Sequence, residues 1–370
     1  MDDPLSTAGG SSAGAVFQRA AALHRDGRLE EAESLYRRLL ADQADLAGVQ
    51  FNLGILLIQR GEAAAGTERL RLAVLCDPAA AHFQLALAER LTADGQSEAA
   101  VPAWLRGLRL RPGDAAATAA LVRARRLALF QGQTATLLDR HPERPDGGEP
   151  GRKLAHGVAA QLTAVQDHYD RALSIHGATP DGVNVPDPAY HRRMQDRTAG
   201  LILQAVTEAD WTVNDVGCGY GALFERLGNH LLPHGVRYHG YDISPAMIAA
   251  ARERQGGDPR AVFAVSSVAL WPADCSVALG TFSFTLGHGR ADWRRYVEAQ
   301  LLAMARMSRR AVIASFLWRD GGNLFGIAPD DLLPFVRRHL SDRAEALGDP
   351  ADHEWILRAP TPFQTDLLHP

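Results

Sequence analysis

The chain has 370 residues, of which 46% are hydrophobic and 22% charged, a composition that is typical of globular proteins and excludes a largely disordered one. Its net charge of −4 gives no general attraction to nucleic-acid phosphate. The length exceeds that of one ordinary hydrophobic core, so we expect at least two domains.

Residues 1–12 are rich in small polar and acidic residues and are predicted to form a flexible leader. They lack the basic start and long apolar run of a secretory signal, and apolar runs such as Phe51 to Ile58 are too short to cross a bilayer. Three isolated cysteines, Cys76, Cys218 and Cys275, imply no disulfide framework. We therefore expect a cytoplasmic protein without a membrane partner.

A period of 34 residues runs through the first third of the chain. It relates Gly27, Gly61 and Gly95, and four further columns share the same step. These columns contain Leu23, Leu57 and Leu91; Ala32, Gly66 and Ala100; Tyr36, Leu70 and Trp104; and Leu39, Ala73 and Gly107. Five columns with one period are difficult to explain by accident, so each unit is predicted to be a helix, a glycine turn and a second helix.

This pattern resembles the tetratricopeptide repeat (TPR). With a capping helix at its end, the helical array is predicted to cover residues 13–138. The resemblance implies a surface that binds a protein partner or a second copy of the chain. Proline, glycine and charge then predict a linker at residues 139–155, a second domain at 156–360 and a frayed tail at 361–370.

The second domain alternates predicted strands with predicted helices, as in a Rossmann-like α/β fold. Ser244 followed by Pro245 is a typical helix start. The predicted elements are strands at 211–216, 236–243, 311–317 and 355–358, and helices at 222–227, 245–254, 293–307 and 334–340.

Glycines at the exit of the first strand predict a ligand site, because they leave the backbone open to a bound molecule. Asp242, at the end of the second strand, can accept hydrogen bonds from a ribose diol. Gly217-x-Gly219-x-x-Ala222 also satisfies the dinucleotide pattern of NAD enzymes. Asp215, however, would repel a pyrophosphate and attract a sulfonium or an ammonium, which favours a sulfonium cofactor.

The stretch from Asp215 to Leu227, with Tyr241 to Met247, resembles class I S-adenosylmethionine-dependent methyltransferases, and the resemblance extends over about residues 168–316. It implies S-adenosyl-L-methionine (SAM) as cofactor and a set of cofactor-binding positions. These are Asp215, Gly217, Gly219 and Gly221 at the methionine end, Asp242 and Ile243 at the ribose, Gly280 and Thr281 near the transferring methyl, and His168 with Tyr169 as a lid.

One position departs from the family pattern. Many members carry a carboxylate after the third strand that binds the adenine amino group, whereas residues 263–268 contain none. We expect either that Ser267 or a backbone group takes its place, or that the adenine is held mainly by packing.

No catalytic residue is assigned from the sequence. His168, His288 and His353 are candidate general bases, but a histidine chosen by position alone is more often structural. His230 and His234 have only a helix-like spacing, so no metal site is expected. Arginine clusters at 123–126 and 306–310 lack interleaved aromatic residues, so no nucleic-acid partner is expected either.

Three functions from different classes remain open at this point. The first is a methyltransferase acting on an unidentified acceptor, which could be a metabolite, a glycan precursor or a protein. The second is a non-catalytic TPR adaptor with a degenerate or SAM-sensing domain. The third is an NAD-dependent oxidoreductase.

Overall fold

The computed structural model describes residues 8–142, 149–185, 187–206, 210–230, 237–285, 289–319, 321–348 and 353–361. The chain divides into two compact units, Met1–Ala128 and Leu129–Pro370. Within the described ranges, no helix combines the length and the apolar character that crossing a membrane requires.

The first unit consists of successive helical hairpins. Its helices are α1 (Ala8–Arg25), α2 (Leu29–Asp42), α3 (Ala47–Gln59), α4 (Ala63–Cys76), α5 (Ala81–Ala93), α6 (Ser97–Leu110) and the start of α7 (Ala115–Leu138). Part of the expected leader is therefore helical, since α1 begins at Ala8; residues 1–7 lie outside the described part of the chain.

The three hairpins share one turn geometry at a spacing of 34 residues. Gly27, Gly61 and Gly95 have φ angles of 78°, 85° and 73°, a left-handed conformation that favours glycine. After each glycine, the next backbone N–H donates to the carbonyl five residues earlier, at 2.9, 2.9 and 2.8 Å. This hydrogen bond is typical of a glycine-terminated helix, so each turn ends its first helix in the same way.

The predicted columns form the interior of this unit. Tyr36, Leu70 and Trp104 are each less than 5% exposed, so one large side chain fills each hairpin. The small residues are required by close helix contacts: a Cβ on Gly66 would lie 2.8 Å from the carbonyl oxygen of Gly54, and one on Gly107 would lie 2.4 Å from Leu85. The structure therefore confirms the predicted TPR-like array.

The segment between the array and the second unit differs from the prediction. The capping helix α7 continues to Leu138, and its residues from Leu129 onward belong to the second compact unit. Residues 149–155, predicted as linker, begin a long helix instead, α8 (Glu149–His176). Pro150 stands in the first turn of α8, where proline is tolerated, so it starts the helix rather than preventing it. Residues 143–148 lie outside the described ranges.

The second unit is a seven-stranded sheet, among the described residues, with helices packed against it. Its strands are β1 (Val213–Val216), β2 (Tyr238–Asp242), β3 (Ala261–Val265), β4 (Ala273–Ala278), β5 (Ser308–Leu317), β6 (Glu345–Leu347) and β7 (Glu354–Pro360). Its further helices are α9 (Pro188–Ala205), α10 (Ala222–Leu227), α11 (Pro245–Arg254), α12 (Arg290–Arg306) and α13 (Pro329–His339).

The strand order is β3-β2-β1-β4-β5-β7-β6. Strands β1 to β5 run parallel, and β7 is antiparallel to both β5 and β6. The chain order reverses direction at β1, between β2 and β4, which in open parallel sheets is where ligands bind, at the carboxyl ends of the strands. This topology confirms the predicted Rossmann-like α/β class.

Helices α10 and α11 have the predicted bounds. Ser244 caps α11 as predicted, because its hydroxyl accepts a hydrogen bond of 2.9 Å from the Met247 N–H. Helix α13 was predicted to begin at Pro334 but begins at Pro329. A proline at the first position and two aspartates after it stabilise that earlier start, so Pro334 lies inside the helix.

Candidate functional site

The pocket in the second unit lies at the carboxyl end of the parallel strands, where β1 and β2 give way to loops. Nine of the residues expected to form the cofactor site or its lid contribute to its lining: Tyr169, Asp215, Gly217, Gly219, Asp242, Ile243, Ser267, Gly280 and Thr281. Gly221 and His168 are not among the lining residues. Most of the predicted set is thus brought together around one pocket.

The glycine turn after β1 is held by backbone hydrogen bonds from the neighbouring strand. The N–H groups of Gly217 and Cys218 donate to the carbonyl of Tyr241 at 2.7 and 3.0 Å. Gly217 and Gly219 have φ angles of 79° and 53°, which glycine adopts without strain. Gly221, at φ 84°, precedes α10 as its N-cap, so its role is to start the helix rather than to line the pocket.

Asp242 fixes the turn from the end of β2. One carboxylate oxygen accepts from the Gly219 N–H at 3.0 Å, and the other accepts from the Ser244 N–H at 2.8 Å. The pKa of Asp242 is raised to about 6. Burial is the main cause and the nearby Asp170 carboxylate contributes, while the two hydrogen bonds oppose the shift.

Asp215 is the second carboxylate of the pocket and is almost completely buried in β1. The hydroxyl of Tyr238 donates a hydrogen bond to it. Burial raises the pKa of Asp215 to about 7, the Tyr238 hydrogen bond opposes this, and the charge of Asp242 adds to it. Two acids with raised pKa values in one pocket favour a cationic ligand, because a positive charge would stabilise both carboxylates.

The exit of β4 forms the opposite wall. The Thr281 hydroxyl donates to the carbonyl of Val216 at 2.7 Å, so it closes the base of the glycine turn. The Gly280 N–H donates to the hydroxyl of Ser315, in β5, at 2.8 Å. Gly280 itself has open space at its Cβ position, so no side chain fills the wall at this residue.

Ser267 lies beyond β3, where the family pattern has a carboxylate. Its hydroxyl donates to the side-chain oxygen of Gln133 at 2.5 Å, and its carbonyl accepts from Gln300 at 2.6 Å. Gln133, near the end of α7, was not expected at the site. The position that lacks an acid is therefore surrounded by neutral amides and hydroxyls.

The predicted lid is part of α8 rather than a separate flap. Tyr169 lines the pocket, and burial raises the pKa of its hydroxyl. The His168 ring lies 2.8 Å from the side-chain nitrogen of Asn184 and outside the lining set.

The candidate bases are not brought to the pocket. His353 stacks edge-on near Tyr190, with ring centroids 6.2 Å apart, and does not line the pocket; neither does His168. His288 lies outside the described residues. Among the described residues no cluster of histidine, cysteine or acidic side chains has the arrangement of a metal site.

Several polar lining residues were missed by the sequence analysis, among them Tyr190, His191 and Gln195 from α9, Tyr296 from α12, and Glu354 from the start of β7. Glu354 reaches the pocket because β7 runs antiparallel to β5, so its first residue pairs with Leu317 at the carboxyl end of the sheet. The hydrophobic pattern of a single strand does not reveal the direction in which it joins the sheet, so the position of Glu354 could not be predicted from it.

A protein-family model described as a methyltransferase domain matches residues 214–303, which include the glycine turn and Asp242. The proposed methyltransferase Rv1506c of Mycobacterium tuberculosis is 37% identical over 164 residues, which are 42% of this chain and 96% of that relative.

Two solved structures illustrate the likeness of each unit. Magnesium protoporphyrin IX methyltransferase from Synechocystis PCC 6803, with bound SAM, is 17% identical, with 54% of this chain and 97% of that chain covered and a TM-score of 0.41. The second TPR domain of the human RPAP3 protein, in complex with an HSP70 peptide, is 19% identical, with 29% and 90% covered and a TM-score of 0.28.

The family model falls on the strand, turn and helix that build the pocket, and the mycobacterial relative is matched over nearly its whole length. Both agree with the resemblance predicted from the sequence. The chain therefore belongs to the methyltransferase family.

Proposed function

We propose that the second unit transfers a methyl group from SAM to an acceptor bound in the same pocket, leaving S-adenosylhomocysteine (SAH). The observation that carries this proposal is the pair of carboxyls, the buried Asp215 and the part-buried Asp242, that line one pocket with the glycine-rich turn 217–221. When bound, the sulfonium supplies an already activated methyl group. The protein then has to bind, orient and exclude water, and positioning alone supplies much of the rate.

Asp242 would bind the ribose hydroxyls. Each of its oxygens accepts one backbone hydrogen bond, and a carboxylate oxygen has a second acceptor site available for a ligand. The Gly219 and Ser244 N–H groups thus fix the carboxylate at the position that a diol needs. Ile243, next in the lining, offers apolar contact to the nucleoside.

Asp215 would stabilise the ammonium and sulfonium of the methionine end. Tyr238 holds its carboxylate in place, and Gly217 and Gly219 line the pocket beside it. Gly280 and Thr281 would line the floor near the transferring methyl. The neutral surroundings of Ser267 suit an adenine held by hydrogen bonds to neutral groups and by packing.

The rival functions are less well supported. A dinucleotide would place its pyrophosphate beside Asp215, and the two negative charges would repel each other at short range in a buried site. Family membership also favours methyl transfer over hydride transfer. The adaptor alternative leaves the open turn and the two buried acids without a ligand, although it is compatible with the repeats.

Titration calorimetry of the full chain with SAM, SAH and NAD separates the three functions. We expect SAM and SAH to bind with micromolar affinity and NAD not to bind. Binding of NAD alone would support the oxidoreductase, and binding of none of the three would support the adaptor.

The affinity for SAM should depend on pH, because Asp215 is protonated in part of the ligand-free protein at neutral pH. A bound cation lowers the carboxyl pKa, so binding below pH 7 must expel a proton. We expect the titration of Asp215 alone to raise the association constant by roughly five- to tenfold from pH 6 to pH 7.5. Calorimetry in two buffers of different ionisation enthalpy measures the released proton directly.

Asp215→Asn is the matched variant, since it keeps the size of the side chain and removes the titration. It should bind SAM more weakly at pH 7.5 and show a flatter pH dependence than the wild type. The acid of Asp242, with its pKa of about 6, accounts for the slope that remains near pH 6. A variant with the wild-type slope would contradict the role of Asp215.

The repeats are proposed to bind a protein partner or a second copy of the chain. The acceptor itself is proposed to be a metabolite, a glycan precursor or a protein brought by the repeats. A cytoplasmic location is also proposed, because the three cysteines are free and two of them, Cys218 and Cys275, are buried.

A further inference from the structure

Glu354 is a carboxylic acid in the pocket that binding of the nucleoside does not require. It begins β7, on the side of the sheet where β5 ends, and it lines the pocket together with residues of α9. Asp215 and Asp242, the acids assigned above, come from β1 and β2 instead. A third acid on a separate wall therefore calls for a separate partner.

Hydrogen bonds connect Glu354 to the floor where the methyl would be transferred. The Gly280 N–H donates to the Ser315 hydroxyl, and the Ser315 side chain interacts with the Glu354 carboxyl. Ser315 is fully buried, so this connection is shielded from water. The chain places the acid beside the reacting end of the pocket rather than beside the adenosine.

The groups around Glu354 suit a polar acceptor. His191 and Gln195 line the same wall from α9, and the side-chain nitrogen of Gln195 lies 3.5 Å from the His191 ring. The side-chain oxygen of Gln195 is buried and has no hydrogen-bond partner among the described residues. A buried acceptor atom of this kind is costly unless a ligand supplies the missing donor.

We propose that Glu354 and Gln195, which line the same pocket, form the acceptor subsite, and that the acceptor is an amine or a hydroxyl whose proton passes to Glu354. This inference rests on the proposed methyl transfer. The acceptor's lone pair forms the new bond to the methyl carbon, while the carbon–sulfur bond breaks and its electron pair stays on sulfur. The proton leaves the acceptor atom for the Glu354 carboxylate. The sulfonium loses its positive charge and the carboxylate loses its negative charge, so the net charge is unchanged.

The electrostatics of the pocket agree with this role. Burial raises the pKa of Glu354, which the Ser315 and Tyr190 hydrogen bonds oppose, and a carboxylate with a raised pKa is a better proton acceptor.

A pair of nucleoside probes tests the subsite without knowledge of the acceptor. In sinefungin a carbon bearing an ammonium replaces the sulfonium and its methyl group, so the ammonium projects toward the acceptor. SAH has a neutral sulfur at this position, with neither the ammonium of sinefungin nor the methyl group of SAM. We expect the wild type to bind sinefungin about tenfold more tightly than SAH, as one hydrogen bond between charged partners would give.

Glu354→Gln should abolish most of this preference while leaving the affinity for SAH unchanged, and the unchanged SAH affinity shows that the pocket is intact. Glu345→Gln is the matched control: Glu345 lies on the adjacent strand β6, pairs with Arg358 and does not line the pocket. It should keep the wild-type preference. Glu354→Asp, which keeps the charge, should retain part of it.

Two results would overturn the inference. A sinefungin preference that survives Glu354→Gln, or an equal loss of affinity for both probes, would give Glu354 a purely structural role while leaving the proposed cofactor site intact. Failure of the wild type to bind either probe would instead overturn the proposed methyl transfer, and the acceptor subsite with it.

Discussion

Replacing Asp242 by alanine is expected to weaken SAM binding by about 1–3 kcal/mol, or roughly 5- to 150-fold in the dissociation constant. The alanine variant loses the ribose hydrogen bonds and also the two bonds that the carboxylate accepts from the Gly219 and Ser244 N–H groups. The Gly219 N–H belongs to the glycine turn after β1, so the turn itself loses part of its support. Calorimetry with SAM and with SAH measures the change.

Asp242→Asn separates the two contributions. The amide keeps one oxygen acceptor, so it should retain one of the two backbone hydrogen bonds and bind SAM with an intermediate affinity. Asp196→Ala serves as the control, because Asp196 lies on α9 with its side chain 62% exposed and contributes only a surface ion pair with Arg226. A folded Asp242→Ala variant with wild-type affinity would remove Asp242 from the site.

Local signals are the part of this structure that the sequence predicts well. The 34-residue period could be recognised without knowledge of long-range contacts, because each repeat depends on the same local turn. The same backbone hydrogen bond follows each repeated glycine. The start of α11 is likewise determined by two adjacent residues, Ser244 as the N-cap and Pro245 as the first helical residue. Asp215 and Asp242 were found because a strand, a glycine turn and a second strand end are adjacent in sequence and converge on one sheet edge.

Residues that reach the pocket from distant elements were not predictable in this way. The contact between Gln133 and Ser267 joins positions separated by 134 residues, and no pattern in either segment points to the other. Placing Glu354 in the pocket requires knowing that β7 runs antiparallel to β5. In that register Glu354 pairs with Leu317, at the end of the sheet where the pocket lies. The histidines were chosen by residue type and proximity to strand ends, which says nothing of side-chain direction.

The long helix α8 shows a different limit. Proline and glycine near its start were interpreted as a linker, although both are compatible with a first helical turn, where the leading N–H groups have no partner in the helix. The lid residue Tyr169 is therefore held on a 28-residue helix. Tyr169 contributes to the pocket wall from this helix, and its role as a lid remains a prediction.

Gly217→Ala is expected to destabilise the second unit by about 2–5 kcal/mol and to abolish measurable SAM binding. Alanine is disfavoured at a φ of 79°, and its Cβ would lie 2.4 Å from the Thr281 hydroxyl oxygen and 2.7 Å from the Thr281 methyl carbon. That hydroxyl also bonds to Val216, so moving it breaks the contact between the exits of β1 and β4. Urea unfolding followed by tryptophan fluorescence measures the loss of stability.

Gly257→Ala separates the cost of the left-handed backbone conformation from the cost of the steric clash. Gly257 has a similar φ of 73° but nothing within 4 Å of its Cβ position, so this variant carries the backbone cost without the clash. The difference between the two variants should be about 1–3 kcal/mol, the cost of overpacking. Adding Thr281→Ala to Gly217→Ala removes both clashing atoms and should recover part of that difference, which a double-mutant cycle detects as coupling. Strictly additive effects of the two substitutions would mean that the turn and the Thr281 wall are not in contact, and the pocket described here would have to open differently.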